Sequence, residues 1–207
     1  MTKSNKNYRM AIAPLIAVLA IMSTPVFASP IDTFTNRADW QTAAGTPDWT
    51  VDFGGFASDT SFTTSPVDLG SFSISQVGVM DFHNVIKASG VADVYTNFGA
   101  ITVDITFDTP VYAWGADFSG LDGELLNIEL FGGINTTIEV NQTTGFFGFT
   151  VPSSTPINKI SLISRTEIAG LEGETFTMDN AAGVVPEPAT MSLLALGGLA
   201  MLRRRRK

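Results

Sequence analysis

The chain has no cysteine and one histidine, His83. Disulfides, thiolate zinc sites and cysteine nucleophiles are therefore excluded. A zinc site would have to draw nearly all its ligands from carboxylates, an uncommon set. Cations are almost as scarce in the body. Residues 29–185 hold 4 of them, Arg37, Lys87, Lys159 and Arg165, against 19 acids, a formal balance of −15. Such a surface repels phosphate backbones, so nucleic acid is not an expected partner. It favours solubility outside the cell and leaves carboxylates free to meet divalent cations. No apolar run reaches the roughly 20 residues of an ordinary spanning helix. Phosphate loops, dinucleotide fingerprints and G-x-S-x-G elbows are missing as well. His83 has only Asp81 nearby in sequence, which does not make a hydrolase relay, and it reads as a loop or strand-end residue.

The two ends are organised alike. "MTKSNKNYRM" is a positive stretch, followed by the uncharged run 11–22 and by "STPVFA". Val26 and Ala28 are small residues three and one before a cut. This is the pattern of a secretory signal peptide, residues 1–28, cleaved between Ala28 and Ser29. At the other end, Pro186, Glu187 and Pro188 precede 14 uncharged residues, 189–202, and then Arg203, Arg204, Arg205, Arg206 and Lys207. The prolines stop any helix from running back into the body. As a helix, 189–202 would span about 21 Å, short of a hydrocarbon core of about 30 Å. Snorkelling arginines extend that reach, and the basic stop belongs on the cytoplasmic side. A hydrophobic helix over 189–202, with the body outside and residues 203–207 inside, is the expected topology.

"VPEPAT", the leucine-rich run and the arginine cluster together resemble the PEP-CTERM sorting signal, over residues 184–207. The resemblance implies an exosortase-type membrane protease as partner alongside the secretion machinery. It also implies recognition at Pro186, Glu187 and Pro188, and removal of the tail. It further implies a Gram-negative host, transient residence in the inner membrane, and a mature protein at the cell surface or in a polysaccharide matrix.

Between the ends, residues 29–183 read as one all-β domain. Short alternating runs recur at spacings of roughly 8 to 15 residues, interrupted by Gly, Pro, Asp and Asn: "WTVDF", "SFSIS", "ITVDITF", "VYAWGADF", "LLNIEL", "INTTIEV", "FFGFTV", "KISLIS" and "TFTMD". Phe131, Gly132 and Gly133 suit a hairpin turn. One short helix is expected over 35–44, capped by Asn36. Nine or ten such strands predict an antiparallel β-sandwich. Phe53, Phe107, Trp114, Phe118, Phe147 and Phe149 are expected in its core. A sugar-stacking platform is the alternative role for Trp40, Trp49 or Tyr95. "ITFDTPVYAWGADF", "FFGF", "ISLIS" and "FTMDN" resemble the jelly-roll-like bodies of other exported PEP-CTERM proteins and of carbohydrate-binding modules.

Calcium is the ligand the acids suit best, because it takes six to eight oxygens, many from irregular loops. Asp117, Asp122 and Glu124 bracket a glycine-containing turn, and Asp179 and Asn180 end an expected strand. The same residues also suit turn formation and solvated surface charge. Asn135 and Asn141 open N-x-[ST] patterns in places where Asn and Thr already serve turns and strands, and "SDTSFTTS" offers hydroxyls for O-glycans or a flexible loop. Three functions follow: an exported non-enzymatic surface or matrix protein associated with extracellular polysaccharide, a calcium-dependent carbohydrate-binding module, or a secreted hydrolase built on paired carboxylates. The first is the expectation.

Overall fold

A computed structural model of the chain describes residues 31–77, 84–95, 101–120, 126–140, 144–164 and 175–187. The secretory signal, Pro188 and the run 189–207 lie outside these residues. The elements are β1 (Asp32–Phe34), α1 (Arg37–Ala44), β2 (Trp49–Val51), β3 (Thr60–Ser61), β4 (Val67–Asp68), β5 (Phe72–Val77), β6 (Val85–Lys87), β7 (Val91–Tyr95), β8 (Ile101–Val111), β9 (Ala113–Ser119), β10 (Leu126–Gly132), β11 (Thr136–Val140), β12 (Gly145–Thr150), β13 (Ile157–Ser164) and β14 (Thr175–Val184). They form two antiparallel sheets. The larger runs β1-β12-β9-β14-β7-β6-β3, with β2 also paired to β14; the smaller runs β11-β10-β13-β8-β5-β4.

Alternation in the smaller sheet follows the pleat. On β8, Ile101, Val103, Ile105 and Phe107 are buried while Thr102, Asp104 and Thr106 face away. A strand with one covered face alternates in this way because successive side chains point to opposite sides. Ile74, Ile105, Ile160 and Leu130 meet Trp114, Phe118, Phe149 and Phe176 of the larger sheet in one continuous core. All six aromatics expected in that core, from Phe53 to Phe149, are buried. The hairpin expected at 131–133 joins β10 to β11, with Leu130 opposite Thr136.

The larger sheet is covered on its second face too. On β9, Ala113, Trp114, Gly115 and Ala116 are all buried, because α1 lies over the outer side. An eight-residue helix is too short to persist alone; local bonds and one buried stripe hold this one. The Asn36 side-chain oxygen, Oδ1, accepts from the amides of Ala38 at 2.8 Å and Asp39 at 3.2 Å, which satisfies donors the first turn leaves free. Gly45, at φ 90°, ends the helix. Trp40 and Ala44, one turn apart, pack with Ala113, Phe146, Ala182 and Val184 in a second apolar cluster. Trp40 also donates its indole N–H to the Phe149 carbonyl at 3.2 Å. Trp40 is therefore fully buried rather than a sugar platform. Trp49 packs its ring 5.4 Å from Phe72 and 6.1 Å from Phe107. The Tyr95 side chain lies outside the described residues.

Glycines let aromatic rings approach the backbone closely. A Cβ on Gly148 would sit 2.7 Å from the Phe146 ring and 2.9 Å from Trp40, and one on Gly183 would collide with Trp49.

Candidate sorting junction at the end of the central strand

β14 is the central strand of the larger sheet and, among the described residues, the last strand in sequence. Along one edge it pairs with β7 and then with β2, and along the other with β9. Its register against β9 slips by one residue between Asp179, opposite Asp117, and Ala182, opposite Gly115. The extra residue makes a β-bulge. Asn180 adopts φ 48° there, a left-handed conformation that Asn tolerates better than most residues. The bulge changes which side chains point inward. Phe176 and Met178 belong to the inter-sheet core, and after the bulge Ala181 does; Ala182 and Val184 lie under α1. The same residues paired without a bulge would put Ala182 and Val184 inside and leave α1 without its floor.

The bulge also gathers polar groups. Arg37, on the first turn of α1, donates to the Asn180 carbonyl at 2.8 Å and pairs with the Asp117 carboxylate at 3.1 Å. Its guanidinium lies 4.6 Å from the centre of the Phe146 ring, a cation–π distance. Asn180 donates its side-chain amide to Asp117 at 3.1 Å. Of the five residues expected around calcium, Asp117, Asp179 and Asn180 thus come together, with Arg37 supplying the positive charge at Asp117. Asp122 and Glu124 lie outside the described residues. Among the described residues, no group of three or more His, Cys, Asp or Glu side chains is arranged to hold a metal ion. Asp81 and His83 lie outside them as well.

Past the bulge, the strand runs to Val184, one residue beyond the expected domain boundary at 183. Hydrogen bonds continue further. The Asp48 amide donates to the Gly183 carbonyl at 3.0 Å, and the Tyr112 amide donates to the Val184 carbonyl at 2.9 Å. The Val185 amide donates to the Asp48 carboxylate at 2.7 Å. The paired register of β14 with β2 ends with Gly183 opposite Trp49. The Asp48 side chain supplies the acceptor for the Val185 amide. The ladder ends one residue later for a covalent reason, since Pro186 has no N–H to donate. The first proline of the terminal motif is therefore where the sheet stops.

A groove of about 670 Å³ opens beside this exit. Gly45 and Thr46 at the end of α1, Asp48, Tyr112, Pro186 and Glu187 contribute to its walls. The Tyr112 hydroxyl donates to the Ala44 carbonyl at 2.6 Å, which ties the helix end to the exit. Burial raises the Tyr112 pKa above its ordinary value, and the carboxylates of Asp48 and Glu187 raise it further. The junction thus has a negative rim, with Glu187 exposed and Pro186 half-buried. Sequence reading located Pro186, Glu187 and Pro188 but missed Asp48 and Tyr112. Asp48 follows Pro47 directly before a strand, and that placement was the available signal.

Residues 184–207 match the PEP-CTERM protein-sorting motif. No curated protein and no solved structure matches the chain. The matched segment begins with the last residue of β14, so fold and sorting motif share Val184. The motif marks an exported protein that crosses the membrane to the cell surface and is handed to an exosortase.

Proposed function

We propose that this chain is a non-enzymatic structural protein of a Gram-negative cell surface or extracellular matrix. A sandwich exported through the signal at residues 1–28 is held briefly in the inner membrane by 189–202. It then loses this tail to an exosortase and associates with extracellular polysaccharide. The observation that carries the reading is that the described sheet ends against Pro186, at the head of the Pro-Glu-Pro motif, so the last strand of the sandwich can be in place before the tail is handled.

The pairing of the body's charges supports a structural role. Lys87 meets Asp59 and Asp93, Lys159 meets Asp104, and Arg37 meets Asp117, so these acids neutralise cations. Polysaccharide association draws on the outward face of the smaller sheet. There the register aligns Ser75, Asp104, Ser161, Glu129 and Thr137 in one row across five strands. Ser161 is buried and donates to Asp104, which also holds Lys159, so Ser75, Glu129 and Thr137 are the members of the row that offer donors and acceptors to sugar hydroxyls.

The test removes residues 186–207 and follows the protein by cell fraction in a host with the processing machinery. The shortened chain should be exported, should melt within about 2 °C of the processed protein, since surface changes cost little, and should stay out of the surface and matrix fractions. Unchanged delivery would contradict the reading.

A further inference from the structure

The hydrogen bonds at the end of β14 bear on where the tail can be cut. Proteases bind their substrates as extended chain, with main-chain hydrogen bonds to several residues around the scissile bond. A segment whose backbone is already paired must open first. Here the backbone is engaged up to the Val185 amide: the Gly183 carbonyl by Asp48, the Val184 carbonyl by Tyr112, and the Val185 amide by the Asp48 carboxylate. Pro186 then prevents the ladder from going on.

We propose that Asp48 is a positioning residue for processing. By holding the Val185 amide it closes the chain on the body side of Pro186, and it confines the cut to bonds C-terminal to Pro186. This rests on the sorting reading above. In the cut itself, the C–N bond breaks, water or an amine nucleophile adds to the acyl carbon, and the new amino group of the tail takes up the proton. Asp48 does not touch the reacting atoms. It decides how many residues of extended chain the enzyme can engage. Asp48 is exposed, so its side chain can be changed without opening a cavity.

The experiment expresses the full chain in a host with the processing machinery, as wild type, Asp48→Ala and Asp48→Asn. Intact mass gives the last retained residue, pulse-chase gives the processing rate, and hydrogen exchange on the full-length chain reports the Val185 amide. Wild type should retain at least Pro186. Asp48→Ala should exchange the Val185 amide roughly tenfold faster, as loss of a hydrogen bond to a charged acceptor implies. It should also be processed faster, with ends appearing at or before Val185. Asp48→Asn keeps a carbonyl acceptor and should match wild type in its ends, which a general electrostatic role for the carboxylate would not allow. Wild-type ends at or before Val185, or an Asp48→Ala variant processed at the same residue and rate, would overturn the proposal and leave the sorting reading standing. A wild-type chain that keeps its tail would overturn both.

Discussion

Deletion of Asn180 should leave the sandwich folded, although it shortens the central strand by one residue. Across the bulge, β14 takes three steps from Asp179 to Ala182 while β9 takes two from Asp117 to Gly115. Removing Asn180 makes the two strands match, so a plain period-2 strand reproduces the observed faces. Phe176, Met178 and Ala181 still point between the sheets, and Ala182 and Val184 still support α1. Gly183 still leaves room for Trp49, and the Val185 amide keeps its place beside Asp48. The losses are local: Arg37 loses the Asn180 carbonyl, and Asp117 loses the Asn180 side-chain amide. Hydrogen bonds to charged groups contribute about 1.5–3 kcal/mol each, so the deletion should cost about 2–5 kcal/mol, a large fraction of the ~5–15 kcal/mol that stabilises a domain, and still melt cooperatively. Asn180→Gly keeps the bulge and the Arg37 contact and should cost less than the deletion. Circular dichroism melts of the three proteins provide the check. A deletion that unfolds the chain would mean that Asn180 is not the one residue by which β14 exceeds β9.

Trp40→Ala should be the most destabilising single substitution on the outer face of the larger sheet, by about 3–5 kcal/mol. The ring is fully buried, tilts against Phe146 with centroids 5.6 Å apart, and uses its N–H on the Phe149 carbonyl. Truncation leaves a cavity, loses the indole's hydrogen bond, and removes the main anchor of a helix too short to persist alone. Trp40→Phe keeps the ring volume in part and loses the hydrogen bond, so it should fall between the two. Denaturant melts of the three proteins provide the check. A cost below about 1 kcal/mol for Trp40→Ala, a size expected of surface positions, would mean that α1 does not depend on this ring.

The sandwich was legible in the sequence because most strands cover one face and so alternate, as 101–107 does. The helix was legible from Asn36 and the turn-forming residues around it. The short strands β1, β3, β4, β6 and β7 carry two to five residues each, too few for a period to show. Asp179 and Asn180 read as a strand end because that pair favours turns. They form a bulge, and the strand goes on for four more residues. Trp40 and Trp49 looked like surface candidates because nothing local shows what covers them. Gly148 and Gly183, distant in sequence from Trp40 and Trp49, let those rings approach the sheet closely, so that Trp40 is buried and Trp49 half-buried. At the sorting junction, composition and order were enough to find the motif. Its connection to Asp48 and Tyr112 runs through pairings separated by 137 residues in the case of Val185 and Asp48, which a local pattern does not carry.

The intact mass of the protein in each cell fraction of its native host bears most directly on the central claim, that a completed sandwich is passed to the sorting machinery at Pro186. Surface and matrix fractions should contain a chain that begins at Ser29, keeps the whole of β14 and lacks the run from Ala189 to Lys207, with any attached glycan read as added mass. A full-length chain of 22.1 kDa, found in the cytosol with both ends intact, would contradict it.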